Sequence, residues 1–199
     1  MTSSHTNKRR SFLITSAALA TGILLPNELF ADESTPNKKI LIAYFSHSGN
    51  TRFMANEIQA QTSGDLFEIK TLNPYPQDYD SVVDVAKKEQ KANFRPPLAT
   101  KLSNLNDYDV IFIGYPNWWG TLPMALFTFF EENSFAGKVL IPFSTHEGSH
   151  FGNSLSDLKT LNPKATFQKG LEMRGRSVES GSSKKEITTW LSELGWVKK

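Results

Sequence analysis

A chain of 199 residues, 39% hydrophobic and 21% charged, has the length and balance of one ordinary globular domain. Its formal charge of +2 resides in the first 31 residues, where three of 22 basic side chains meet one of 20 acidic ones; the neutral remainder lacks the clustered basic residues of a nucleic-acid surface. The absence of cysteine excludes a thiol nucleophile, a disulfide framework and thiolate-held zinc or iron–sulfur, and suits an oxidising compartment.

Residues 1–31 read as an export signal. Asn7 to Leu13, Asn-Lys-Arg-Arg-Ser-Phe-Leu, resembles the twin-arginine pattern, an apolar run follows from Phe12 to Leu25, and Leu29-Phe30-Ala31 fits a cleavage exit. The run is too short and too rich in Ala, Thr and Ser to span a bilayer, so no stable membrane span is expected after signal removal. Residues 32–37 are a polar linker, and residues 38–199 are the expected domain of an exported, periplasmic protein.

The domain alternates strands and helices. Lys38 to Phe45 is an apolar strand and Thr51 to Thr62 a helix stopped near Gly64. Leu66 to Leu72 is a second strand. After Pro74 and Pro76 a helix from Tyr79 to Asn93 places Tyr79, Val82, Val83 and Ala86 on an inward face and turns Lys87, Lys88, Glu89 and Lys91 outward. Tyr108 to Gly114 is the third strand. Thr121 is the expected cap of an almost wholly apolar helix, Leu122 to Glu132. Lys138 to Ser144, a helix from Asn153 to Leu161, an edge strand from Ala165 to Met173 and a helix from Ser182 to Leu194 complete the series. Such alternation predicts an α/β fold, a doubly wound parallel sheet with helices on both faces. Ligands of such sheets bind beyond the carboxyl ends of the strands, near the point where strand order reverses.

Three loops qualify. The first, Ser46-His47-Ser48-Gly49-Asn50-Thr51, gathers hydroxyls and backbone N–H groups at a helix N-terminus, which favours a single phosphate. It lacks the Gly-Lys-Ser/Thr of nucleoside-triphosphate loops and the repeated glycines of a dinucleotide site; a plain strand–turn–helix junction is its bland alternative. The second, Tyr115-Pro116-Asn117-Trp118-Trp119-Gly120, carries two large aromatic faces that suit a flat ring, with N–H groups of Asn117 and its neighbours for the ring's polar edge. Packing of one tryptophan into the core competes with that reading. The third, Thr145 to Asn153, contains His146-Glu147-Gly148-Ser149-His150, which matches the zinc-protease pattern. That pattern needs a helix and here it follows a strand with Gly148 inside it, so no metal site is assigned; Thr145, His146, Gly148 and Phe151 are expected to flank the ring instead. Ser46 sits on no Gly-x-Ser-x-Gly elbow, and no catalytic acid or base is assigned.

Tyr44 to Thr51, Tyr115 to Thr121, Phe143 to Ser149 and Asn73-Pro74-Tyr75-Pro76 together resemble the flavodoxin family, in particular a subgroup with a Tyr-Pro-x-Trp-Trp-Gly loop. The resemblance spans Lys38 to about Trp196. It implies a five-stranded sheet of order 2-1-3-4-5, non-covalent FMN and electron transfer by the flavin to a redox partner protein. A small acceptor such as a quinone, reduced at the expense of NAD(P)H, is the rival role. A binding module that has lost flavin stands as an alternative of another class. Soluble carriers of the family are usually strongly acidic, whereas this domain is neutral, so an anionic reduced flavin would be repelled less here.

Overall fold

The computed structural model describes residues 38–197; the expected signal segment, the linker and the last two lysines lie outside them. The strands are β1 (Ile40–Tyr44), β2 (Asp65–Glu68), β3 (Val110–Pro116), β4 (Val139–His146), β5 (Thr166–Phe167) and β6 (Leu171–Arg174). The helices are α1 (Asn50–Thr62), α2 (Tyr79–Ala92), α3 (Met124–Glu132), α4 (Ser154–Leu161) and α5 (Gly181–Glu193). All strand pairings in the sheet are parallel, in the order β2-β1-β3-β4-β5, with β6 also on β4.

Alternation along the central strands sorts the core into two layers. Leu41, Ala43, Ile111, Ile113 and Tyr115 face one way and pack with Val82, Leu126, Phe129 and Leu158 of α2, α3 and α4. Ile42, Tyr44, Val110, Phe112, Ile141 and Phe143 face the other way and pack with Met54, Ile58, Ile187, Trp190 and Leu191 of α1 and α5. Each such large apolar side chain, fully buried, contributes about 1.5–3 kcal/mol of transfer free energy. Gly114 is required by this packing: a Cβ there would collide with the ring of Phe143, its register partner on β4.

Four elements differ from the sequence expectation. The second strand ends at Glu68, because the backbone of Lys70 turns to residues 99 and 100: Ala99 N–H donates to its carbonyl and Lys70 N–H to Thr100 Oγ1. The edge strand is split in two, so six strands fill five positions. Leu140 still accepts from Gln168 N–H, but Pro142, two residues on, has no N–H to offer, and Gly170 lies against its carbonyl and ring. Thr121 does not cap α3, which begins after Pro123; its hydroxyl donates to Asp157 on α4. On α2 the inward and outward residues are partly exchanged. Tyr79 is 73% exposed, while Glu89 turns in to accept the Tyr75 hydroxyl at 2.6 Å. Asp78 caps this helix by accepting from Ser81 N–H at 2.9 Å. No helix among the described residues is long and apolar enough to cross a membrane.

Candidate functional site

From β1 the chain passes to β2 on one side and then crosses to β3 on the other, so strand order reverses between β1 and β3. Beyond the carboxyl ends of β1, β3 and β4 lies a cavity of about 600 Å³, bordered by all three loops and by α2.

In the first loop Gly49 stands at the N-cap of α1 with φ 96°, and no side chain caps the helix. The N–H groups of Asn50 and Thr51, which have no intrahelical partner, are therefore left for a ligand. Ser46 Oγ accepts from Arg52 N–H at 3.2 Å and so closes the turn rather than facing the cavity. His47 Nε2 donates to the Pro76 carbonyl at 2.7 Å, tying this loop to the segment before α2. His47, Ser48 and Asn50 line the cavity; Thr51 is buried below it with its hydroxyl 3.0 Å from that of Thr145. Arg52 is held by Glu68, and among the described residues neither lysine nor arginine lines the cavity. An anion there would be held by N–H dipoles and hydroxyls.

The second loop is a tight turn. Trp118 and Thr121 exchange backbone hydrogen bonds at 3.0 and 3.1 Å, with Trp119 (φ 53°) and Gly120 (φ 83°) between them. Two successive residues in the left-handed region make this a type I′-like turn, an unfavourable backbone for a bulky side chain. Surrounding contacts hold Trp119 there: its Nε1 donates to the Val83 carbonyl at 3.0 Å, Gln90 donates to its carbonyl at 3.2 Å, and the Lys87 ammonium lies 4.5 Å from its ring. Trp118 is the half-buried partner, set edge-on to Phe45 (5.4 Å) and Tyr75 (5.0 Å). Both tryptophans line the cavity, but only Trp119 is exposed. The backbone N–H of Asn117 is not available to a ligand, contrary to expectation, because it donates to Thr145 O at 2.7 Å as the sheet continues past Pro116. The side chain offers the opposite polarity: Nδ2 donates to His150 O at 2.6 Å, while Oδ1 is buried without a partner. Gly120 lies behind the loop, its carbonyl accepting from Asn153 N–H.

In the third loop Thr145 and His146 line the cavity from the end of β4. The chain then leaves the strand with Gly148 at φ 133° and His150 at φ 53°, so the His-Glu-x-x-His segment is not helical. Gly148 N–H donates to His146 Nδ1 at 2.9 Å, which leaves the proton of the neutral ring on Nε2. Burial holds His146 below the ordinary histidine range, against the opposing pull of Glu172. Phe151, expected beside the ring, instead packs on the core next to Gly170 and does not border the cavity. Burial also raises the Tyr75 and Tyr115 hydroxyls well above their ordinary values; they donate or share hydrogen bonds with Glu89 and Ser154 and are fixed as neutral groups.

Sequence reasoning missed one whole wall. Tyr79, Val82, Val83 and Ala86 of α2 border the cavity, so the spacing read as a core stripe also builds the site. Glu147, Ser149 and Gly175 complete the lining. Gly175 carried no legible signal, although a Cβ there would clash with Glu147 and Asn50.

The family model described as Flavodoxin matches residues 39–194. Among solved structures, a candidate flavoprotein from Bacteroides eggerthii DSM 20697 is 36% identical, with a TM-score of 0.68 over 81% of this chain and 99% of that one. A second, from Bacteroides uniformis ATCC 8492, is 33% identical, with a TM-score of 0.66 over 78% and 98%. A flavoprotein in complex with FMN from Lactobacillus acidophilus NCFM is 23% identical, with a TM-score of 0.61 over 77% and 98%, a likeness that speaks for the fold. No curated protein matches the chain.

Proposed function

The chain belongs to the flavodoxin family, and from that premise we propose that it binds FMN and carries out flavin-mediated electron transfer. The observation that carries this reading is the convergence of an uncapped helix N-terminus, an exposed tryptophan and a buried, partnerless Asn117 Oδ1 on one cavity. Ser48, Gly49 and the N–H groups of Asn50 and Thr51 at the start of α1 would hold the phosphate, Trp119 would cover the ring, and Asn117 Oδ1 would accept from a ring N–H. Bound FMN supplies one- or two-electron redox chemistry; the chain binds it, orients it and limits its contact with water.

Two redox roles follow from that site. An electron carrier for a partner protein needs only the exposed ring edge and a docking surface. A reductase of quinones or other small acceptors needs room above the ring, and the apolar wall of Tyr79, Val83 and Ala86 favours that second role. Visible flavin absorbance of the purified protein, with uptake of one FMN per chain, is the expected result. A colourless protein that takes up no FMN sinks both roles and leaves a non-redox binding module. Steady-state turnover with NAD(P)H and a quinone then separates reductase from carrier. Residues 1–31 we read as a twin-arginine signal, which would carry the folded, cofactor-loaded protein to the periplasm.

A further inference from the structure

The His-Glu-x-x-His segment fails as a helical zinc motif, yet the fold supplies its two histidines with a ligand of another origin. β6 lies parallel to β4 with Ser144 opposite Glu172 and His146 opposite Arg174. This register brings the Glu172 carboxylate under the loop that carries His150. One nitrogen of His146, one of His150 and one Glu172 oxygen lie within 4.8 Å of one another. The two imidazole rings are 4.8 Å apart at their centroids and inclined by 36°, and His150 Nδ1 is 2.6 Å from Glu172 Oε1.

A second observation points the same way. Glu172 Oε2 is buried and has no hydrogen-bond partner. A carboxylate oxygen taken out of water without a partner is costly, and a cation is what would remove that cost. The guanidinium of Arg174, two residues along β6, lies 3.7 Å from Glu147.

We propose that His146, His150 and Glu172 form a site for a divalent transition-metal ion of the zinc class, at the rim of the cavity. Two imidazoles and one carboxylate are the ligand set such borderline ions accept, and three protein ligands leave a position open to water. Zinc bonds of about 2.0–2.1 Å set tetrahedral ligand atoms about 3.4 Å apart, so the widest separation must close by roughly 1.4 Å at most while the 2.6 Å contact of His150 with Glu172 opens. His150 is the side chain that moves, since it is 73% exposed. At His146 the ion would take Nδ1 in exchange for the Gly148 N–H, and Gly148 is exposed, where water can take over that amide. Because His150 O accepts from Asn117 Nδ2, the ion would also fix the third loop against the second. The site stands independently of the flavin reading.

The test is zinc binding to the full chain by equilibrium dialysis and calorimetry, with zinc chloride as the only added ligand. One zinc per chain is expected. His150→Ala and Glu172→Gln should each weaken it by at least 10- to 100-fold, roughly the loss seen when only the outer partners of a metal ligand are removed. Circular dichroism of the exposed-site variant His150→Ala should match the parent, so that lost binding is not lost folding. No uptake by the parent, or parent-like affinity in either site variant, overturns the proposal.

Discussion

The hydroxyls of Thr51 and Thr145 meet at 3.0 Å in a buried space below the cavity, joining the first turn of α1 to the end of β4. One of them must donate and the other accept, and whichever accepts keeps its own proton for a second partner. Thr51, taken from sequence as a phosphate ligand, thus acts first as the strut that sets the two loops at a fixed spacing. Thr51→Val and Thr145→Val each strand one hydroxyl and should cost about 1–3 kcal/mol in urea unfolding. The double variant strands neither. It should be distinctly more stable than the sum of the two losses allows, and strict additivity would mean the pair does not interact.

Ser48 carries the phosphate reading most directly, since it is exposed, lines the cavity and lies next to the uncapped N-cap residue Gly49. Ser48→Ala removes one hydrogen bond to a charged group, about 1.5–3 kcal/mol, and should raise the FMN dissociation constant by roughly 10- to 100-fold. Riboflavin, which has no phosphate, should bind parent and variant alike. Equal losses for both ligands, read by flavin fluorescence quenching, would place the anchor elsewhere.

The layers of the fold were legible because both signals for them are local. Apolar runs such as Val110 to Ile113 mark strands covered on both faces, and the glycines and prolines between them mark the turns. The three loops were legible for the same reason, and the structure brings nine of their fifteen nominated residues to one cavity lining. What was not legible depends on contacts across the chain. Asn117 N–H is consumed by Thr145 O, and Thr121 turns to Asp157 instead of capping α3. Glu172 meets His150 only because Pro142 and Gly170 split the edge strand. No period or motif records such pairings.

Trp119 should matter to the ligand far more than to the fold. Nearly half exposed, it adds little to the core, but its ring is held in place by Val83 and Lys87 and its backbone by Gln90. Trp119→Ala should weaken FMN by roughly 2- to 10-fold, the worth of one aromatic contact of about 0.5–1.5 kcal/mol, with little change in melting temperature. Trp119→Phe keeps a ring but loses the Nε1 bond to Val83, and should fall between parent and alanine variant. A phenylalanine variant as weak as alanine would show that the anchoring bond, and not the ring face, sets affinity.

The proposal of export rests on Arg9 and Arg10. Replacing both with lysine keeps the charge of the leader but breaks the twin-arginine pattern. Cell fractionation should then find the protein retained inside, whereas unchanged periplasmic recovery would show that the pair is not read as a signal.

Behind the cavity-lining tryptophans, Glu89 accepts from the Tyr75 hydroxyl, and Tyr75 packs edge-on against Trp118. Burial raises the Glu89 carboxyl above its ordinary value, although the tyrosine bond pulls it down. The fold therefore favours the protonated acid. Its contribution to stability is fully present below the unfolded value, near about 4.3, and is lost as pH rises through the higher folded value. Once ionised, Glu89 is a charge held in a partly dry site. Glu89→Gln keeps an acceptor for Tyr75 and removes that charge. Unfolding measured across the range from about pH 4 to 7 should show the variant gaining on the parent as pH rises. A difference that stays flat, or that favours the parent more at higher pH, would mean that the bond from Tyr75 outweighs burial at this position.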